Sequence, residues 1–174
     1  MRVFALLLFL LATGCGTKQS DQAAIAKTMP LTESNVGIQD IILSTDISKF
    51  KDRIKNKESM SGSKESMMYE IKLKSPIHED CEGWRDGVKV YTFKGKIMLI
   101  TFPGIYCPRL TDMFIKKFGQ PTKTFRDNFA WTKEDFEIEI KNTGSFISGN
   151  PYYEITIADK HLFKEYQKSV EGNI

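Results

Sequence analysis

The chain is poor in the residues that most often carry catalysis or hold metals: its 174 residues include two histidines and three cysteines. Histidine is the side chain that titrates near neutral pH without help, so general acid-base chemistry has few candidates here. No Cys-x-x-Cys pair and no cysteine/histidine spacing of the zinc type occurs, nor does a Gly-x-Ser-x-Gly elbow, a Walker loop or a dinucleotide glycine fingerprint. No cofactor and no resident metal is expected. Charge of one sign is also lacking. With 25 Lys and Arg against 22 Asp and Glu, the net charge of +3 makes no field suited to nucleic acid, and no nucleic-acid partner is expected. Only one stretch is continuously apolar, which excludes a multispan membrane protein. What remains, 41% hydrophobic and 27% charged, suits one ordinary globular domain.

The single apolar run lies at the start. Met1-Arg2 supplies a basic residue, Val3 to Ala12 is unbroken, and Thr13-Gly14-Cys15 follows. Ten residues of helix rise about 15 Å, half the hydrocarbon thickness that a spanning helix must cross, so the run reads as an export signal. Because the signal ends in cysteine, Leu11-Ala12-Thr13-Gly14-Cys15 resembles the lipobox of bacterial lipoproteins; an ordinary cleaved signal with a chance cysteine is the alternative. The resemblance implies a diacylglycerol thioether on Cys15, cleavage after Gly14 and acylation of the new amino group. Two or more acyl chains anchor a protein stably, so the membrane is an expected partner through Cys15. Gly16, where Asp would favour inner-membrane retention in that family, points to the periplasmic face of the outer membrane. An inner-membrane or Gram-positive surface lipoprotein would carry almost the same signal. Residues 1–14 are thus the signal peptide, and 15–32 the lipidated cysteine and a flexible tether of small and polar residues. A single α+β domain is expected over 33–174.

With Cys15 lipidated, Cys81 and Cys107 remain as a pair, and an oxidising periplasm would let them persist as a disulfide. Two free thiols, or a redox or metal-binding pair, are the other readings.

Along the domain, Ile38, Ile41 and Ile42 suggest a short strand, after which Ser44 or Thr45 can cap a helix with Ile47, Phe50 and Ile54 on one face. The segment from Asn56 to Ser66 reads as a loop. Tyr69, Ile71 and Leu73 alternate with charged residues as a half-wet strand does. Val88, Val90 and Tyr91 lead through Lys94-Gly95 to a central strand over Lys96 to Phe102. Leu110, Met113, Phe114 and Phe118 predict a helix that Pro108 opens and Gly119 and Pro121 close. Phe125 and Phe129 to Trp131, then Phe136, Ile138 and Ile140, predict a hairpin. Asn142 to Pro151 is a turn-rich connection before a strand at Tyr153, Ile155 and Ile157, and Asp159 caps a closing helix. The fold expected is α+β, a mainly antiparallel sheet with helices on one face, in two tandem α-β-β-β halves. On element order alone this is similar to small exported inhibitor and envelope-assembly modules, among them the β-lactamase-inhibitor-like proteins.

Candidate chemistry is sparse. His78 lies in the acidic loop His78-Glu79-Asp80-Cys81-Glu82, whose spacing fits neither an EF-hand nor a zinc motif. Recognition is better served. Pairing Cys81 with Cys107 would bring Trp84 and Arg85 close to Ile105 and Tyr106, although the aromatics could equally cover the bridge and core. A second apolar loop runs from Phe146 to Tyr152. The expected function is non-catalytic: a lipid-anchored envelope module binding a protein or envelope component, in an inhibitor, immunity or assembly role. The alternative is a cell-wall or lipid-modifying hydrolase using His78 and nearby carboxylates.

Overall fold

Alternation of β-branched and aromatic residues with charged ones builds an antiparallel sheet whose apolar positions line up strand after strand. The computed structural model describes residues 36–60, 62–75, 81, 87–146 and 150–172. A two-stranded hairpin, β1 (Gly37–Ile38) and β2 (Ile41–Ile42), precedes a 3-10 helix (Ile47–Arg53). Four strands follow: β3 (Ile54–Ser59), β4 (Ser66–Ile71), β5 (Val88–Phe93) and β6 (Lys96–Ile105). After α1 (Leu110–Phe118) come β7 (Lys123–Phe125), β8 (Asn128–Thr132), β9 (Phe136–Phe146) and β10 (Asn150–Asp159), and then α2 (Lys160–Glu171). The eight long-sheet strands are ordered β3-β4-β5-β6-β10-β9-β8-β7, every pair antiparallel. The architecture is α+β with a mainly antiparallel sheet. Each tandem half contributes a four-stranded meander rather than three strands, and β6 and β10 zip the halves together.

The core follows from register. Tyr69, Val90, Ile100, Ile157, Ile138 and Trp131 face one another across six strands, and all are buried. Phe102, Ile155, Ile140 and Phe129 form the next row. Leu110, Phe114 and Phe118 of α1 and Phe50 of the 3-10 helix join the same apolar cluster. Phe114 lies 5.9 Å from the Trp131 ring, and the Trp131 Nε1–H donates to the Gly119 carbonyl at 2.7 Å, tying the end of α1 to β8.

Helix α2 departs from the single-face expectation. Phe93 alternates away from Val88 and Val90, so it stands on the opposite face, and there it meets Tyr166 of α2 at 6.0 Å. Twelve residues rise about 18 Å, roughly the width of four strands, and α2 contacts β9, β10, β6 and β5. It starts at the β8–β9 turn, where Lys160 donates from its backbone to Asp135 and from Nζ to Lys133, both at 2.9 Å. Its far end packs Val170 against Gly62. Asp159 caps it as expected, accepting from His161 and Leu162 backbone N–H at 3.0 and 2.9 Å. An uncovered Phe93 is the physical reason for a helix on this side.

Two other expectations are revised. The first helix is capped by Asp46, which accepts from Ser48 N–H at 2.8 Å, rather than by Ser44 or Thr45. Part of the expected loop at 56–66 is instead the edge strand β3. Its Lys55, Lys57 and Glu58 are exposed and keep a free edge from pairing with another chain.

Candidate binding surface

Beyond α2, the second face of the sheet has no helix over it among the described residues, and its composition changes from rim to centre. On the outer strands the outward positions carry charge: Glu70 and Lys89 on one side, Glu137, Glu139 and Lys141 on the other. On the central strands the outward positions include Leu99 and Thr101 of β6 and Glu154, Thr156 and Ala158 of β10, cross-paired as Thr101–Thr156 and Leu99–Ala158, with Glu154 opposite the rim residue Lys141. Tyr91 lies opposite Leu99 and Met68 opposite Tyr91, so the neutral strip continues into β5 and β4. These six uncharged side chains are half-buried. A fully wetted face would be expected to carry Lys and Glu here, as β9 does.

The rim carboxylates are engaged electrostatically. Lys141 Nζ lies 2.9 Å from Glu139. That hydrogen bond holds the Lys141 ammonium above its usual value against a small burial penalty, with the charges of Glu139, Glu154 and Glu137 adding to it. This group is a charged border, and Lys55 near Glu70 at 3.8 Å forms its counterpart on the other side.

At the end away from α2 the face finishes in two tyrosines beside the disulfide. Cys81 and Cys107 are bonded and both buried. Tyr106, the residue before Cys107, has its ring 6.2 Å from that of Tyr152 on β10. Both are half-buried. Register shifts place them there. Between the Ile155–Phe102 and Tyr153–Ile105 pairs, β6 spends three steps against two on β10, so the bulge reverses the inward phase of β6. A second shift, between Tyr152 and Tyr153, lies opposite Gly144, whose φ of 111° is a conformation open chiefly to glycine. Asn142 Oδ1 accepts the Gly144 N–H at 2.9 Å and fixes that kink. Tyr152 therefore faces out while Tyr153 packs on the core, where burial and then the negative charge of Asp127 push its hydroxyl pKa up.

Of the residues singled out from sequence, Tyr106 is accessible. Ile105 is not: at 1% exposure it belongs to the core, because the bulge turns it inward, and it presents nothing to a partner. Trp84 and Arg85 lie outside the described residues, as do Cys15 and His78. The loop from Phe146 to Tyr152 contributes Tyr152. The neutral strip of Tyr91, Leu99, Thr101 and Thr156 was missed, and its signal was the uncharged outward positions 99, 101, 156 and 158 on two adjacent strands, with Glu154 the charged exception on β10.

A serine, an aspartate and a histidine do meet near the start of α2, but not as a catalytic triad. Ser44 Oγ donates to Asp159 Oδ2, while Asp159 Oδ1 is taken by two backbone N–H groups. The His161 imidazole turns instead to Asp135, 3.0 Å away. Among the described residues no ring nitrogen is bonded to the serine, so the set fastens α2 to the β2 end and caps it. Among the described residues no group of three His, Cys, Asp or Glu side chains is placed to hold a metal ion. No helix of the described residues is long and apolar enough to cross a membrane. No family model, curated protein or solved structure matches the chain.

Proposed function

We propose that the protein is a lipid-anchored bacterial envelope module, held through Cys15 at the periplasmic face of the outer membrane, that binds a protein partner without catalysis. The observation that carries this reading is the half-buried strip on β6 and β10, uncharged from Ala158 and Leu99 to Thr156 and Thr101, that leads past Glu154 to the Tyr106–Tyr152 pair and is bordered by charges. Binding surfaces combine such a centre, rich in aromatic residues, with a polar rim. Tyrosine gives large contact area for little lost freedom, and the adjacent disulfide and paired central strands hold it in place. The partner class is an envelope protein, met in an inhibitor, immunity or assembly role.

Affinity capture from envelope extract tests the surface. Tyr106→Ala and Tyr152→Ala should each lower recovery of the partner at least tenfold, and Thr156→Glu, which puts a charge in the neutral strip, should do the same. Undiminished capture by all three variants removes the surface from consideration. For the anchor, metabolic labelling with a palmitate analogue should vanish in Cys15→Ser, and persistent label there would refute lipidation.

A further inference from the structure

On the α1 side of the sheet, remote from the face just described, a small cleft separates α1 from the β1–β2 hairpin. It measures about 160 Å³ and is lined by Ile38, Met113, Phe114 and Phe118, with Lys117. Liquid water occupies about 30 Å³ per molecule, so the space holds about five water-sized groups. Its lining is apolar apart from the lysine and the backbone and amide groups at Gly37 and Gln39. Lys117 is an exposed residue whose ammonium donates to the Gly37 carbonyl at 2.8 Å, a partly shielded bond, and lies 5.0 Å from the Phe118 ring centroid. An ammonium has three donors, and Gly37 accepts one. Among the described residues no carboxylate forms an ion pair with Lys117.

We infer that this cleft binds a small monocarboxylate with a short apolar chain or ring, the carboxylate on Lys117 and the apolar part against Ile38, Met113 and Phe114. Charge complementarity selects the anion: among the described residues Lys117 is the cation lining the cleft, with donors beyond the one that Gly37 accepts and no carboxylate paired to it. The volume of the cleft accommodates an apolar part of about four to six carbons. Although the residue as a whole is exposed, the loss of water around its ammonium end at the Gly37 carbonyl holds Lys117 below its usual value, and a bound carboxylate offsets that penalty. Acid and cleft therefore reinforce each other in a way that a neutral analogue cannot.

The test is a titration of the whole protein, carrying 13C-methyl methionine, with pentanoate, hexanoate and benzoate, and in parallel with pentanamide and hexanamide. Saturable shifts of the Met113 methyl are expected with the acids, at least tenfold weaker binding with the amides, and an upward move of the Lys117 titration midpoint on binding. Lys117→Met keeps the stem and should lose at least tenfold in affinity, whereas Lys117→Arg should retain binding. Met113→Trp fills the space and should abolish it with the charge intact. Equal binding of acids and amides, no saturation by 50 mM, or unchanged affinity in Lys117→Met would each overturn the assignment. Partner capture through Tyr106 and Tyr152 is not touched by these variants, so failure here is distinguishable from failure of the proposed function.

Discussion

Trp131 and Phe125 sit on the paired strands β8 and β7, and the structure gives them opposite worth. Trp131 is fully buried at the end of the six-strand row, its ring N–H bonded to Gly119 and its ring beside Phe114. Replacing it with Phe removes apolar atoms worth about 1 kcal/mol of transfer. A residual cavity of about 40 Å³ costs about 1 kcal/mol more at 24 cal/mol per Å³. Losing the bond to Gly119 adds about 1 kcal/mol, with the low end appropriate because Gly119 itself is exposed and its carbonyl can turn to water. The expected loss for Trp131→Phe is about 3 kcal/mol from these three terms. Phe125 is 68% exposed, with the Arg126 guanidinium 5.3 Å from its ring centroid, so Phe125→Ala should stay within about 0.5 kcal/mol of the parent. Urea unfolding followed by far-ultraviolet circular dichroism reads both without relying on tryptophan emission. A Trp131→Phe loss under 1 kcal/mol, or equal losses at the two positions, would refute the packing argument.

Gly37→Ala should destabilise by at least about 2 kcal/mol, because an added Cβ would lie 2.1 Å from the Ile41 carbonyl oxygen, a backbone atom with nowhere to go; a thermal melt checks this. Replacing both Cys81 and Cys107 with Ser opens a link spanning 26 residues and should cost about 3.5 kcal/mol on the chain-entropy account, read from denaturation midpoints with and without reductant. At Asp40, burial pushes the carboxyl up, but hydrogen bonds from Lys74 and Arg53 and the Arg53 charge outweigh it and hold the group below 3.8. A depressed folded value adds stability above pH 3.8 that is lost as the pH falls through that lower value. With 39% of the side chain exposed, Asp40→Asn should cost only about 0.5–1 kcal/mol at neutral pH, and parent and variant should converge in acid melts.

Elements with strong local punctuation were legible from sequence. The first full helix has its apolar spacing and both terminators in sequence, and α1 appears at Leu110–Phe118. The central placement of β6 followed from its apolar run. Strand β3 was hidden because only Ile54 is even half-buried; an edge strand with one neighbour needs no alternation, and its charges imitate a loop. The stretch 142–151 looked like a connection because Asn142, Gly144 and Pro151 are turn residues. They serve instead at the register shift of a long hairpin, where Pro151 pairs with Ser145. Tyr106 and Tyr152 were each singled out, but on separate loops. Their meeting depends on β6 pairing with β10, a contact between halves that no local pattern announces. Ile105 was misjudged for the same reason: phase along a strand is predictable until a bulge reverses it.

The two central strands also decide where binding energy should concentrate. β10 pairs with β9 at Tyr152 and with β6 at the Tyr153–Ile105 pair, and Tyr106 adjoins the bonded Cys107, so backbone at the two tyrosines is held by these ladders and by the disulfide rather than ordered on contact. Little freedom is left to lose there, whereas the long side chains of Lys89 and Lys141 on the rim remain solvated and must be immobilised to contribute. Charges at a rim chiefly steer encounter and are screened by salt. Alanine substitution should therefore divide the surface: at least about 2 kcal/mol lost at Tyr106 or Tyr152, appearing as faster dissociation, and less than about 1 kcal/mol at Lys89 or Lys141, appearing as slower association. Surface plasmon resonance with the captured partner separates the rates at two ionic strengths. Losses spread evenly over rim and centre, or a larger effect at the lysines, would show that recognition follows charge and not the central strands.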